Sequence, residues 1–519
     1  MRVYRVLRTI LIIAAATLLR SPTVSADSRG DDLANWINER GREIWGAAPD
    51  KCDDLTFARR IYLDLLGRVP SVSELRDFEE LSEDRRTYLV EMLVFGEGER
   101  ADRYKRLTAE HLARQWRQVL LPAGTAPGAS AAGVENWLAT QFRNEIPYDE
   151  WMRGLVRVQD GASTTAPIVT ANGIAAQYFQ LLGGLPENYA GNVSRVMLGV
   201  RIECAQCHDH PFTTWKQKDF WGLAAFYSDL GKRTDDAEKA KATAMVGKIE
   251  FDKTVYNAKY LWDSEPVSQT TSALRSRLSE WMTSKENPNF AATAVNRFWQ
   301  HLVGRGLYAD VENLDLANEE QRKFANELGA RFSNDGYHIR RLLAAICKSD
   351  WYQAISQDPK FDLSDFYRPL KTVSPEQIFD SMEQSLHLPI SRLDPTSPRW
   401  SGERMQLVGR LGESSGRTPE EYAAGIPQAL MLMNGRLTNE AVNFDSSRLL
   451  RAVAESPFFE NEDRVETLYL AVLTRKPTKS ELQTIHALLE TKSNESDRKQ
   501  ALGELLWALI NSPEFVLCR

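Results

Sequence analysis

Apolar residues return at every third or fourth position along most of this chain, the spacing of one helix face. That pattern predicts helices over residues 55–66, 71–80, 84–95, 101–120, 148–157, 272–284, 290–304, 319–333, 338–349, 374–386 and 419–434. Val193, Val196, Met197 and Val200 form a further stripe, with Asn192 as its candidate cap. Another helix starts near Lys216 and carries Trp221, Leu223, Ala224 and Phe226. Pro211 interrupts the two, so residues 204–211 fall at a corner between helices. Strand-like alternation is scarce, and Lys248 to Tyr256 is its best case. The expected fold is mostly α.

Residues 61–75 (IYLDLLGRVPSVSEL) and 468–482 (LYLAVLTRKPTKSEL) are copies of one pattern, identical at eight of fifteen positions. Each holds a helix end, a proline turn and a capping box, Ser71-x-x-Glu74 and Thr478-x-x-Glu481. This is a helix-turn-helix unit repeated near the two ends of the chain, too few copies for a solenoid. Residues 121–134 are rich in Gly, Pro and small side chains and read as a mobile loop. Residues 231–271 lack a sustained stripe and read as a linker. The expected organisation is therefore two helical domains, 27–230 and 272–519, behind a leader at 1–26.

The leader rests on Arg2, Arg5 and Arg8 before an apolar run from Ile10 to Leu19, then Val24-Ser25-Ala26 as a cleavage site. It predicts an exported protein, periplasmic or extracellular, with no membrane span after cleavage. Net charge is −7 for the whole chain, and the leader holds four arginines and no acid, leaving −11 in the remainder. That balance argues against nucleic acid as a partner. The sequence has no H-E-x-x-H and no phosphate-binding glycine loop, so it does not decide whether this is an enzyme.

Among five cysteines and seven histidines, Cys204-Ala205-Gln206-Cys207-His208 has the spacing of a c-type haem attachment site. Three readings stand side by side. Cys204 and Cys207 form thioethers to haem c and His208 is the proximal iron ligand. Alternatively the cysteines with His208 or His210 hold zinc or iron. In the third, the cysteines form a short disulfide or pack as a plain corner with no cofactor. His301 or His111 are the distal-ligand candidates, each on a predicted helix beside tryptophans. Phe212, Trp215, Phe220, Trp221 and Phe226 suit either a haem wall or ordinary packing. Arg195 and Arg201 suit either haem propionates or solvent. Asn296 and Arg297 read as a buried hydrogen-bond network between helices, and Asp310, Glu312 and Asp315 as solvated acids.

RRIYLDLLGRVPSVSEL together with MLGVRIECAQCHDHPFTTWKQKDFWGLAAFY resembles the planctomycete-type cytochrome-like secreted domain of unknown function. The stretches LSEWMTSKENPNFAATAVNRFWQHLVGRGL, RRLLAAICKSDWYQ and QALMLMNGRLTNEAV resemble its usual C-terminal companion. The resemblance spans about residues 55 to 515. The segment VENLDLANEEQRK departs from it, lacking the proline- and histidine-containing stretch expected after Asp310. Two function classes follow. One is an exported one-haem protein for electron transfer or a redox accessory role, with an unidentified redox partner. The other is a haem-free structural or interaction protein with an exported protein partner and a Cys/His metal or disulfide staple.

Overall fold

The structure is a computed structural model describing residues 29–518 apart from 82–83, 123–128, 158–170, 229, 231–243, 246, 268–273, 309, 358–365, 387–403, 405–406, 410–425 and 493. The leader at 1–26 lies outside the described residues. The fold is mostly helical. Its first half contains α1 (Asp31–Trp45), α2 (Asp54–Leu66), α3 (Val72–Glu79), α4 (Arg85–Glu91), α5 (Ala101–Leu120), α6 (Ala129–Arg143), α7 (Tyr148–Val156), α8 (Ala171–Leu181), α9 (Pro186–Leu198) and α10 (Gln217–Ala224). After a small antiparallel sheet of β1 (Ala244–Met245), β2 (Lys248–Phe251) and β3 (Thr254–Asn257) come α11 (Leu274–Met282), α12 (Pro288–Val303), α13 (Glu319–Asn334), α14 (Ile339–Lys348) and α15 (Asp350–Gln353). The remainder is β4 (Lys371–Thr372), α16 (Pro375–Leu386), α17 (Ile426–Asn434), α18 (Arg436–Val442), α19 (Arg448–Ala454), α20 (Asn461–Leu473), α21 (Lys479–Glu490), α22 (Glu495–Ile510) and β5 (Leu517–Cys518).

Two local expectations change, and a third takes a definite form. Residues 121–134 are not one loop, because α6 begins at Ala129; its small residues are good helix formers and bury Ala131 and Val134. Asn192 is not a cap. Pro186 opens α9 at its first position, and Asn192 sits inside the helix, buried, accepting from the Tyr178 hydroxyl and donating to the Leu120 carbonyl at 3.1 Å. The alternation at 248–256 is a hairpin. Asp252 and Lys253, both left-handed (φ 47 and 65), turn β2 into β3 in a two-residue loop.

Described residues on both sides of 231–271 share apolar packing. One apolar cluster draws on residues from Ala34 to Tyr352, and a second gathers residues 373–518 around Leu63 and Val69. Helix α2 serves both, with Phe57, Ile61 and Leu65 in the first and Leu63 in the second. It is buried on all sides from Phe57 onward, so its charged residues need partners inside the protein. Arg59 donates to the carbonyls of Val472 (3.0 Å) and Phe515 (2.8 Å), and Arg60 to those of Tyr352 (2.7 Å) and Ala354 (2.9 Å). Asp64 accepts from the Tyr352 hydroxyl at 2.9 Å and pairs with Lys371 and Arg368. Lys371 stands in β4, which pairs antiparallel with β5 at Cys518. The C-terminal end of the described chain thus meets α2.

The repeat is also a physical repeat. Arg68 forks onto Glu74 (2.8 and 2.9 Å) and also donates to the Val69 carbonyl, while Glu74 accepts the Ser71 N–H that opens α3. Arg475 makes the same fork onto Glu481 (both 2.9 Å) and donates to the Lys476 carbonyl, while Glu481 accepts the Thr478 N–H. The arginines lie over Tyr62 and Tyr469 at 5.5 and 5.2 Å. Gly67 and Thr474 both end their helices left-handed. Only glycine fits at 67, where a Cβ would stand 2.5 Å from the His111 ring. The copies touch, α3 packing on α20.

Burial separates them: the Arg68–Glu74 pair is interior, the Arg475–Glu481 pair about one third exposed. Glu74→Gln leaves a buried guanidinium without its charge partner and should cost about 3–5 kcal/mol in urea unfolding. Glu481→Gln should cost about 1 kcal/mol. Burial opposes ionisation of Glu74, but the Arg68 charge and hydrogen bonds outweigh it and hold the carboxyl at about 2, below its ordinary 4.5. Its contribution is therefore complete above pH 4.5 and lost as pH falls from there toward 2, a slope that Glu74→Gln should flatten.

Candidate functional site

The C-x-x-C-H run occupies the corner expected for it. Helix α9 ends at left-handed Gly199, Ile202 returns to the core, and a single 3-10 turn covers Glu203–Gln206. Ala205 is the turn's one buried side chain, so the two flanking cysteines face outward. Helix α10 grips this turn by its backbone. Trp221 Nε1 donates to the Gln206 carbonyl (3.0 Å), and Gln217 Nε2 donates to the carbonyls of Gln206 (3.3 Å) and Cys207 (3.1 Å). The Tyr256 hydroxyl of β3 donates to Gln217 in turn. Rigid carbonyls and outward side chains leave Cys204, Cys207 and His208 exposed, with both thiols free.

His208 has a defined tautomer. Its Nδ1 lies 2.8 Å from the Asp209 carbonyl, which can only accept, so Nδ1 carries the proton. In the neutral ring Nε2 is then a bare lone pair, the form in which histidines bind metal. His210 is occupied differently: its Nδ1 accepts the N–H groups of Phe212 (3.2 Å) and Thr213 (3.1 Å), closing the loop. Among the described residues no group of three or more His, Cys, Asp or Glu converges as a metal cage. The aromatic neighbours mostly serve packing, Trp221 stacking on Phe251 and Phe226 on Tyr260, but Phe212 is 92% exposed beside the motif.

Behind the turn lies a groove of about 1140 Å³. Glu203 and Gln206 form one part of its wall, α5 and α12 another. Arginines and acids cross-link it. Arg195 pairs with Glu312, Arg201 with Asp310 and Glu312 (both 3.0 Å), and Arg297 with Glu312 at 3.5 Å. Arg297 also donates to the Val196 and Arg195 carbonyls at 3.1 Å, fastening α12 to the end of α9 as the Asn296–Arg297 motif predicts. Burial works against the Glu312 charge, yet Arg297 and Arg195 bring its pKa below the ordinary value. Asp315 accepts from Trp215 Nε1 at 2.8 Å. These acids are thus partners, not solvated residues, and Arg195 and Arg201 are committed to them.

The structure brings His111 and His301 to each other, their rings 5.5 Å apart, and not to His208. His301 Nε2 donates to the Asp64 carbonyl at 2.9 Å. His301 also lines the groove and a cavity of about 160 Å³ with Asp64, Lys371 and Cys518, whereas His208 lines neither. His111 is buried, and burial, then the charge of His301, push its pKa well below the ordinary value. Sequence reasoning passed over Asp64. The signal was present: an acid amid IYLDLL where the second copy has Ala471. The sequence reading expected no G-x-S-x-G elbow, but Gly412-Glu413-Ser414-Ser415-Gly416 has that spacing. That string lies outside the described residues, and the two small antiparallel sheets are not the parallel sheet a nucleophile elbow needs.

Residues 34–232 match the family model described as PSCyt2, a protein of unknown function (DUF1549), and residues 274–388 match PSD1, a protein of unknown function (DUF1553). No curated protein and no solved structure matches the chain.

The thiol geometry predicts a labelling pattern. In reduced protein without haem, Cys204 and Cys207 should react with a bulky thiol reagent under native conditions, while buried Cys52, Cys347 and Cys518 react only after unfolding. Peptide mapping after labelling checks it.

Proposed function

The chain belongs to the proteins that join a PSCyt2 domain to a PSD1 domain, a cytochrome-like pairing of unknown function, and on that footing we propose that its exposed corner is a covalent haem c site. The observation that carries the reading is the His208 tautomer, which leaves Nε2 free to ligate while Asp209 fixes the ring. Cys204 lies in the Glu203–Gln206 turn and Cys207 caps its end, both with free, accessible thiols. Each thiol adds its sulfur and hydrogen across one vinyl group, a reaction that needs no external oxidant. Haem supplies one-electron chemistry when bound. The chain's part is to hold the thioether sulfurs by carbonyls anchored to Trp221 and Gln217, and to orient His208. An edge this exposed suits electron exchange with a partner protein. Export, expected from residues 1–26, places the corner where attachment is completed.

One observation favours the second reading, a haem-free interaction protein: among the described residues, the two cavities that His301 lines include none of Cys204, Cys207 and His208. The two readings separate in one preparation. The full chain, leader included, is expressed in an exporting host that also matures a control cytochrome c. The proposal expects a red protein whose Soret absorbance stays with the polypeptide through acid-acetone extraction. Cys204→Ala/Cys207→Ala should abolish the covalent pigment, and His208→Ala should change its spectrum. A colourless chain beside a red control overturns the haem reading, and metal analysis then tests for zinc or iron.

A further inference from the structure

The groove behind the corner holds side chains that the fold itself does not use. Gln115 and Gln118, one turn apart on α5, and Gln300 on α12 all line it, and their carboxamides make no hydrogen bond among the described residues. The Glu187 carboxylate at the start of α9 lines the same space, also without an ion pair among the described residues. Polar groups in a concave wall that are neither fully exposed nor bonded to the protein are available to a ligand.

The charges restrict what that ligand is. Arg195, Arg201 and Arg297 would attract phosphate, sulfate or carboxylate if free, but all three are already matched by Glu312 and Asp310. What remains is donor and acceptor capacity without net positive charge. The arrangement also disfavours a peptide. The described lining comes from helices, the residues just beyond their ends, and the 201–206 and 310–312 segments, so no described strand edge offers main-chain pairing. Trp116 and Phe220 show 4% and 1% of their surface, too little for an aromatic-lined peptide groove. Val119, half-buried, adds one apolar contact. Carboxamides that both donate and accept, a carboxylate acceptor and that apolar contact complement adjacent hydroxyls and the C–H faces between them. At about 1140 Å³ the groove exceeds the usual 300–1,000 Å³ of small-molecule pockets, so the occupant spans several units.

We propose that this groove binds a neutral oligosaccharide, held by Gln115, Gln118 and Gln300 with Glu187 at its α9 side. The site is independent of haem at the corner, and the test is run on protein prepared with and without haem-maturation machinery.

Isothermal titration calorimetry of the full-length chain uses neutral hexasaccharides of glucose, xylose, mannose and N-acetylglucosamine. A heparin-derived hexasaccharide and a Gly/Ser decapeptide serve as charged and peptidic probes. At least one neutral hexasaccharide should bind and change the fluorescence of Trp116 and its neighbours. Gln115→Ala/Gln300→Ala should weaken it about tenfold or more, two lost hydrogen-bonding side chains. Gln118→Ala should weaken it less, and all variants should keep the wild-type unfolding midpoint because these amides make no hydrogen bond among the described residues. Three results would each overturn the proposal: no neutral hexasaccharide binding at millimolar concentration, binding of the heparin or peptide probe alone, or folded glutamine variants that bind as tightly as wild type.

Discussion

A buried carboxylate organises this protein. Asp64 lies inside α2, where ionisation is tolerable only if cations and donors surround it, and it recruits them from far along the chain. Lys371 comes from β4, Arg368 from just before it, and the Tyr352 hydroxyl from α15. The Asp64 carbonyl accepts a hydrogen bond from His301 of α12. Arg60 and Arg59, on the same helix, bind carbonyls after α15 and at the chain's C-terminal end. Matching one buried helix therefore requires both halves of the chain at once. That is why the matches at 34–232 and 274–388 do not correspond to separate cores.

From this hub the constraint passes outward along α12. Its His301 is tied to α2, and its Arg297, one turn earlier, is tied to the last carbonyls of α9 and to Glu312. The end of α9 leads directly into the turn that bears the cysteines. The corner is thus positioned from behind by Arg297 and from the side by Trp221 and Gln217. None of these bonds uses a cysteine sulfur or His208 Nε2. The interior histidines complete the hub, while the exposed residues keep their reactive atoms available.

Helical periodicity was legible wherever one face is apolar, as in α5, whose bounds at 101 and 120 are those the stripe predicts. It failed where helices are made of small residues, as in α6, or where tertiary bonds replace a cap's function, as at Asn192. The repeat was legible because the fork needs Arg, Pro, Ser or Thr, and Glu at fixed spacing. The corner was legible because its chemistry is local in sequence. The groove was not, since Gln115, Glu187, Gln300 and Glu312 come from four distant segments. Nor was the hub: Asp64 and Lys371 are 307 residues apart, and no local pattern joins them.

The proposed role rests on covalent attachment at Cys204 and Cys207, and intact mass measured under denaturing conditions reads it directly. Protein exported from a haem-maturing host should have the mass of the processed polypeptide plus one haem, with only three cysteines open to alkylation after unfolding. The bare polypeptide mass with all five cysteines alkylated, from a host that loads a control cytochrome, would contradict it.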